Sequence, residues 1–288
     1  MKRVTVFFVL AISTVLVVCT MVGCASWQSP SESEAHAAKE THGVSEQSQG
    51  ELIDELNQAI LNVPQCKSLT VTEEMTSTFY EDGKNEDIKE VSIYKFDQSG
   101  DKIKTSVEVD SSGVKLAYYT DGDAAVFVTD GPVYAGTTEQ FGLDHAKGLM
   151  PFLENSIGKP DVFLNCAASV EKTEGRGLVI YSLTLDPKKY IESDEALRTL
   201  AKYGSPVKEA YVTFGFEGDG RIVSIDKKLV YEKSTSVWNL VLSKHDKTVV
   251  SPMPEATSTY EQMEEDEERK LEEIFGDEDV AEGTVAAK

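Results

Sequence analysis

The sequence predicts an α+β domain built on one curled antiparallel sheet of about ten or eleven strands, with helices covering its concave face. Two observations predict it. Between residues 51 and 250 the apolar period is mostly two, punctuated by Asp-Gly and Ser-Gly turns that join successive strands antiparallel. Three stretches in the same span switch to helical spacing, and a sheet of that many strands must twist and curl around something apolar.

Ser48-Gln49-Gly50-Glu51 forms a capping box, followed on one helical face by Leu52, Leu56, Ala59, Ile60 and Val63 until Pro64. Residues 68–80 alternate Leu69, Val71, Met75 and Phe79 with Thr and Glu, and Asp82-Gly83 turns the chain. Further strands are expected at 88–97, 102–109, 114–120, 124–129 and 132–137. Residues 138–158 break the alternation; Phe141, His145, Leu149, Phe152, Leu153 and Ile157 suggest two short helices hinged at Gly148 and Pro151. Strands return at 160–170 and 177–186, and a helical patch at 193–203 stops at Gly204. Strands at 206–216, 221–231 and 235–244 complete the domain.

The ends differ from this middle. Lys2 and Arg3 precede an uncharged, largely apolar run from Val4 to Gly23, so residues 1–23 predict an export signal. An uncleaved anchor is the alternative, because the run approaches the roughly 20 residues that span a bilayer. Met21-Val22-Gly23-Cys24 resembles the lipobox of bacterial lipoproteins, where a small residue precedes a cysteine that becomes the acylated N-terminus. Met21 departs from the usual Leu. The resemblance implies lipidation at Cys24 and a protein held on the extracytoplasmic face of the cell membrane. Residues 24–50, rich in Ser, Glu, Gln and Ala, read as a flexible linker that contains His36 and His42. Residues 251–288 hold 13 acids and three bases and read as a largely disordered acidic tail. Within that tail Tyr260, Met263, Leu271, Ile274 and Phe275 sit at amphipathic spacing.

The formal charge of the whole chain is −22, of which −10 lies in the tail and −11 in residues 51–250. With no basic stripe, such a chain repels nucleic-acid phosphates. Cys19 lies in the signal and Cys24 in the lipobox, leaving Cys66 and Cys166. An even remainder outside the cytoplasm favours a disulfide between them, with two unpaired buried thiols as the alternative. Closing a loop of about 100 residues would contribute roughly 4–5 kcal/mol in the chain-entropy view. No nucleophile elbow, phosphate loop or zinc motif occurs, so no enzyme, metal or cofactor is expected.

The order helix, strands, helical insert, strands, helix, strands resembles the lipoprotein-carrier fold of the LolA and LolB proteins and the mycobacterial LppX and LprG lipoproteins. The resemblance covers residues 51–250 and implies a half-open β-barrel lidded by helices, with acyl chains held between sheet and lid. Tyr118, Phe127, Phe141, His145, Phe152, Phe214, Phe216 and Trp238 are the candidates to line such a cavity; a filled core is their alternative role. The expected function is binding or carriage of a lipid or other apolar ligand. The alternative is a non-enzymatic envelope module with a filled core that binds a protein or cell-wall partner.

Overall fold

The computed structural model describes residues 47–63, 66–81, 84–143 and 147–269. The export signal, Cys24, nearly all of the linker, His145 and residues 270–288 lie outside the described residues. Helix α1 (Gln49–Leu61) opens on the expected capping box, with Glu51 accepting from the Ser48 amide at 2.8 Å. Six strands follow: β1 (Ser68–Glu81), β2 (Lys84–Asp97), β3 (Lys104–Ser111), β4 (Val114–Asp121), β5 (Ala124–Val128) and β6 (Val133–Thr137). Then come α2 (Leu149–Ser156), α3 (Pro160–Cys166), β7 (Ala167–Gly175) and β8 (Leu178–Leu185). Helices α4 (Pro187–Ser193) and α5 (Glu195–Lys202) lead to β9 (Glu209–Glu217), β10 (Ile222–Val230) and β11 (Ser234–Ser243). The short β12 (Ser258–Thr259) and a final helix α6 over residues 260–269 end the described chain.

All strands belong to one sheet in the order β12-β6-β5-β4-β3-β2-β1-β11-β10-β9-β8-β7, antiparallel except where β12 runs parallel to β6. The ladder is open, since β7 and β12 are its two ends. It curls strongly: Tyr134 on β6, Leu69 on β1 and Tyr181 on β8 belong to one continuous core with Leu56, Phe152 and Phe163 from the helices. The half-open barrel with helices on the concave side is therefore the architecture observed.

Each edge is partly capped, which disfavours strand addition there. Gln49 bonds the backbone of Val170 on β7 through both ends of its side-chain amide. At the other edge the Thr257 amide donates to Val133 O at 2.8 Å, and β12 continues that pairing.

Four expectations are corrected. Residues 160–166 are a helix rather than a strand; Val162, Phe163 and Cys166 suit either period, and Pro160 at the first helical turn decides. Among the described residues of 138–158 there is one helix, α2, entered through Gly148 at φ 129°, while Phe141 sits in the preceding turn. That turn closes tightly, since a Cβ on Gly136 would meet the Phe141 ring at 2.8 Å. The domain does not end at residue 250: Tyr260 and Met263 are 7% and 2% exposed, and Tyr260 meets Phe141 edge-on at 5.2 Å. Burial of those two side chains overrides the charge repulsion that favours a solvated tail. Finally, Cys66 and Cys166 are buried free thiols, and Cys166 Sγ lies 3.7 Å from Ser193 Oγ.

Candidate functional site

Register defines the concave face row by row. Every second residue of each strand points inward, and paired residues share a row. The row Leu242–Val71–Tyr94–Val107–Tyr118–Phe127–Tyr134 runs from β11 through β1 to β6 and is buried along its whole length. Helix α2 lies over it: Phe152 is wholly buried with its ring 4.3 Å from Tyr94 and 5.6 Å from Phe96.

One row further, cover thins: Leu240 and Ser92 stay buried, but their neighbours do not. Glu73, Val109 and Leu116 are half-buried in the row Leu240–Glu73–Ser92–Val109–Leu116. The next row reads Lys227–Trp238–Met75–Glu90–Ser111–Val114, none of it fully buried, with Val114 56% exposed. Phe79 and Ile88 lie beyond, also half-buried. Across β1 to β4 the inner face thus changes from a sealed core to a partly covered trough of apolar side chains interspersed with charge, while Leu229, Ser236 and Ser77 in the row of Ile88 remain buried. Near the β6 edge the trough deepens into a groove of about 340 Å³, where Val114, Leu116, Phe127 and Tyr134 face Met263 and Asp266 of α6.

The charged groups on the trough floor are displaced from their ordinary protonation ranges. Burial lifts the Glu73 carboxyl from 4.5 to about 7, with the Tyr94 hydroxyl and Lys227 pulling it back and Glu90 pushing it up. Burial also raises Glu90, and it lowers Lys227 from 10.5 to about 8 against the charges of Asp194 and Glu73. The Lys227 ammonium donates to Ile157 O at 2.9 Å, just past the end of α2, and stands 4.8 Å over the Trp238 ring.

A second polar cluster is structural. Glu55 on α1 accepts from Lys172 Nζ at 2.7 Å and from the Tyr181 hydroxyl at 2.9 Å, and Lys172 also reaches Glu174 at 2.7 Å. These bonds hold the Glu55 carboxyl below its usual range and fasten α1 to the inner faces of β7 and β8.

The expected lining residues divide. Tyr118, Phe127, Phe141, Phe152, Phe214 and Phe216 are all buried, and they stack on one another and on Tyr94, Tyr181 and Phe163 at 4.3–6.4 Å. They fill the space they were expected to line. The apolar void left beneath α2 and α3, among Ile60, Leu153, Ile157, Phe163, Phe214 and Ile225, is about 10 Å³, barely room for one water. Only Phe127 and Trp238 reach the open part of the face, Phe127 at the groove and Trp238 on the floor. His145 lies outside the described residues.

Sequence reasoning missed Glu73, Glu90 and Lys227. The signal was present for two of them: Glu73 falls at an inward position between Val71 and Met75, and Lys227 between Ile225 and Leu229.

No protein-family model matches the chain, and no curated protein matches it. Solved structures do. The chain is similar to the lipoprotein LppX of Mycobacterium tuberculosis, at 14% identity and a TM-score of 0.41 over 70% of this chain and 98% of that one. LprF of Mycobacterium bovis gives 13% identity and a TM-score of 0.41 over 71% and 97%. A LolA superfamily protein of Nitrosomonas europaea gives 9% identity and a TM-score of 0.23 over 72% and 96%.

Proposed function

We propose that the chain is a lipid-anchored extracytoplasmic protein that holds an apolar chain, such as the acyl part of a lipid, against the open half of its concave face. The observation that carries this reading is a patch of incompletely buried apolar side chains inside the curl: Met75, Phe79, Ile88, Val109 and Leu116, with Val114 exposed beside them. A soluble domain gains by covering such a surface, and a groove of about 340 Å³ falls within the usual size of a small-ligand site. Apolar walls would bind the chain without directional preference, while Glu73, Glu90 and Lys227 would fix the polar end of the ligand. The lipobox at Cys24 supports anchoring, and Cys24 is the residue proposed to be acylated.

A second reading is favoured by the filled interior: an envelope interaction module that binds a protein or cell-wall partner. Under that reading the aromatic rings are core and the trough is a docking surface. Quenching of Trp238 separates the two. In the processed chain with Cys24→Ser and Trp27→Phe, a bromine-labelled phospholipid should quench the remaining tryptophan, and Leu116→Asp should abolish the quenching. Absence of quenching, with no lipid retained through purification, would leave the interaction module.

A further inference from the structure

The trough and the groove are predominantly acidic. In the two rows below Tyr94, Glu73 and Glu90 are the acids and Lys227 the base, and the Lys227 ammonium is already engaged by Ile157 O and the Trp238 ring. The groove adds Asp130, Asp266 and Glu267. Arg269 and the Tyr134 hydroxyl hold Asp266 at 2.6 and 3.2 Å. Lys115 alternates with the inward Val114 and Leu116 and stands opposite Asp110 on the outer rim. Two further observations meet beside these acids. Phe127 lines the groove and stacks on the Tyr118 ring at 4.7 Å, so aromatic surface, which attracts cations, borders the same space. The Tyr118 hydroxyl makes no hydrogen bond among the described residues, although the residue is only 4% exposed. Glu90 stands in the row of Val114, four residues along β4 from Tyr118, or roughly 13 Å. The charges of Glu90 and Glu267 nevertheless both reach the phenol and push its ionisation up. The ring therefore leans toward the uncovered end, with its hydroxyl on the side of the two acids. A buried hydroxyl without a partner costs free energy that a donor on a ligand would recover.

We propose that this end of the concave face selects a cationic head: the ligand is a long-chain amphiphile ending in an ammonium group, with its chain along Leu116 and Val109 and its nitrogen among Tyr118, Glu90 and Glu267. The apolar chain rests on the function proposed above; the charge of its head is added here. An ammonium donates to the Tyr118 oxygen and to a carboxylate at once, and the neighbouring rings attract it. A carboxylate or phosphate head would meet like charge in the same place, and that repulsion grows as the ligand excludes water.

Two amphiphiles with equal chains and opposite heads test the selection. Decylamine and decanoate, each below its micelle concentration, are titrated calorimetrically into the processed Cys24→Ser protein near neutral pH and at low salt. The amine should bind at least ~10-fold more tightly than the carboxylate. Glu90→Gln should narrow that ratio several-fold, and Tyr118→Phe should weaken the amine while leaving decanoate unchanged. The reference is Glu74→Gln, an exposed acid on the outer face of β1, which should leave the ratio where it was. Equal affinities, or tighter binding of decanoate, would keep the apolar site and overturn the cationic head. A ratio that falls as far in Glu74→Gln as in Glu90→Gln would also overturn it, because the amine would then be following the overall charge of the chain. Binding of neither amphiphile would overturn the cationic head together with the ligand reading beneath it.

Discussion

Replacing Glu73 with Gln should stabilise the domain at pH 8 and leave it nearly unchanged at pH 4. Glu73 titrates near 4.5 when the chain is unfolded and at about 7 when it is folded, because burial disfavours its charge. Below the lower value the carboxyl is protonated in both states and contributes no difference. As pH rises from there to about 7 the unfolded chain releases its proton first, and the folded state loses ~1.4 kcal/mol for each pH unit. By pH 8 the accumulated loss is about 3 kcal/mol, less whatever the nearby Lys227 charge offsets. Lys227 carries the opposite dependence: its value falls from 10.5 to about 8, so its stability contribution is present above the upper value and lost as pH falls through the lower one. At pH 4 that loss is complete and at pH 8 it is largely complete, so comparing the two pH values isolates Glu73. Gln keeps the shape and an acceptor for the Tyr94 hydroxyl while removing the charge. Urea denaturation of both proteins at the two pH values measures the difference. A stabilisation equal at both, or a loss at pH 8, would refute the view that an inward carboxyl is ionised at a cost on this face.

Other outcomes follow from the same geometry. Met263→Ala should cost about 2–4 kcal/mol, capped by the free energy with which α6 docks, whereas a solvated tail would give no change in urea denaturation. Lys172→Ala should cost about 1–3 kcal/mol by leaving the Glu55 carboxylate short of its partner, and Lys172→Arg should restore part of it. In the processed Cys24→Ser protein, Cys66 and Cys166 should resist a thiol reagent while folded and both react in urea without reductant; no reaction in urea would mean a disulfide. Cys24→Ser in the full chain should abolish incorporation of a labelled fatty acid; unchanged incorporation would refute acylation at Cys24.

Much of the fold was legible because the strand signal is long and regular. The alternation of β1, β2 and β9 and the glycine-marked turns set most strands, and the capping box set the start of α1. Short elements were harder. Residues 160–166 satisfy a strand and a helix equally, and only Pro160 tips them. Asp186 before Pro187 is a helix start that went unread; its carboxylate caps the Lys188 and Lys189 amides at 2.9 and 3.2 Å. Residues 251–269 were hidden by their charge, which masks two anchoring side chains, Tyr260 and Met263. The site was least legible of all. Aromatic content pointed to the lining of a cavity, yet rings are also the best filling for a curled sheet, and composition does not separate the two roles. What distinguishes the trough is where the helices stop, and that depends on α2 packing over Tyr94 rather than over Met75.

The most direct test of the central claim is mass spectrometry of the organic extract from the purified, processed Cys24→Ser protein, run beside its Leu116→Asp variant. The account predicts a lipid or other apolar molecule retained near one per chain by the parent and lost from the variant, because Leu116 lines both the half-buried row and the groove. An extract empty of apolar molecules, or equal retention by the two proteins, would contradict ligand binding in the concave trough.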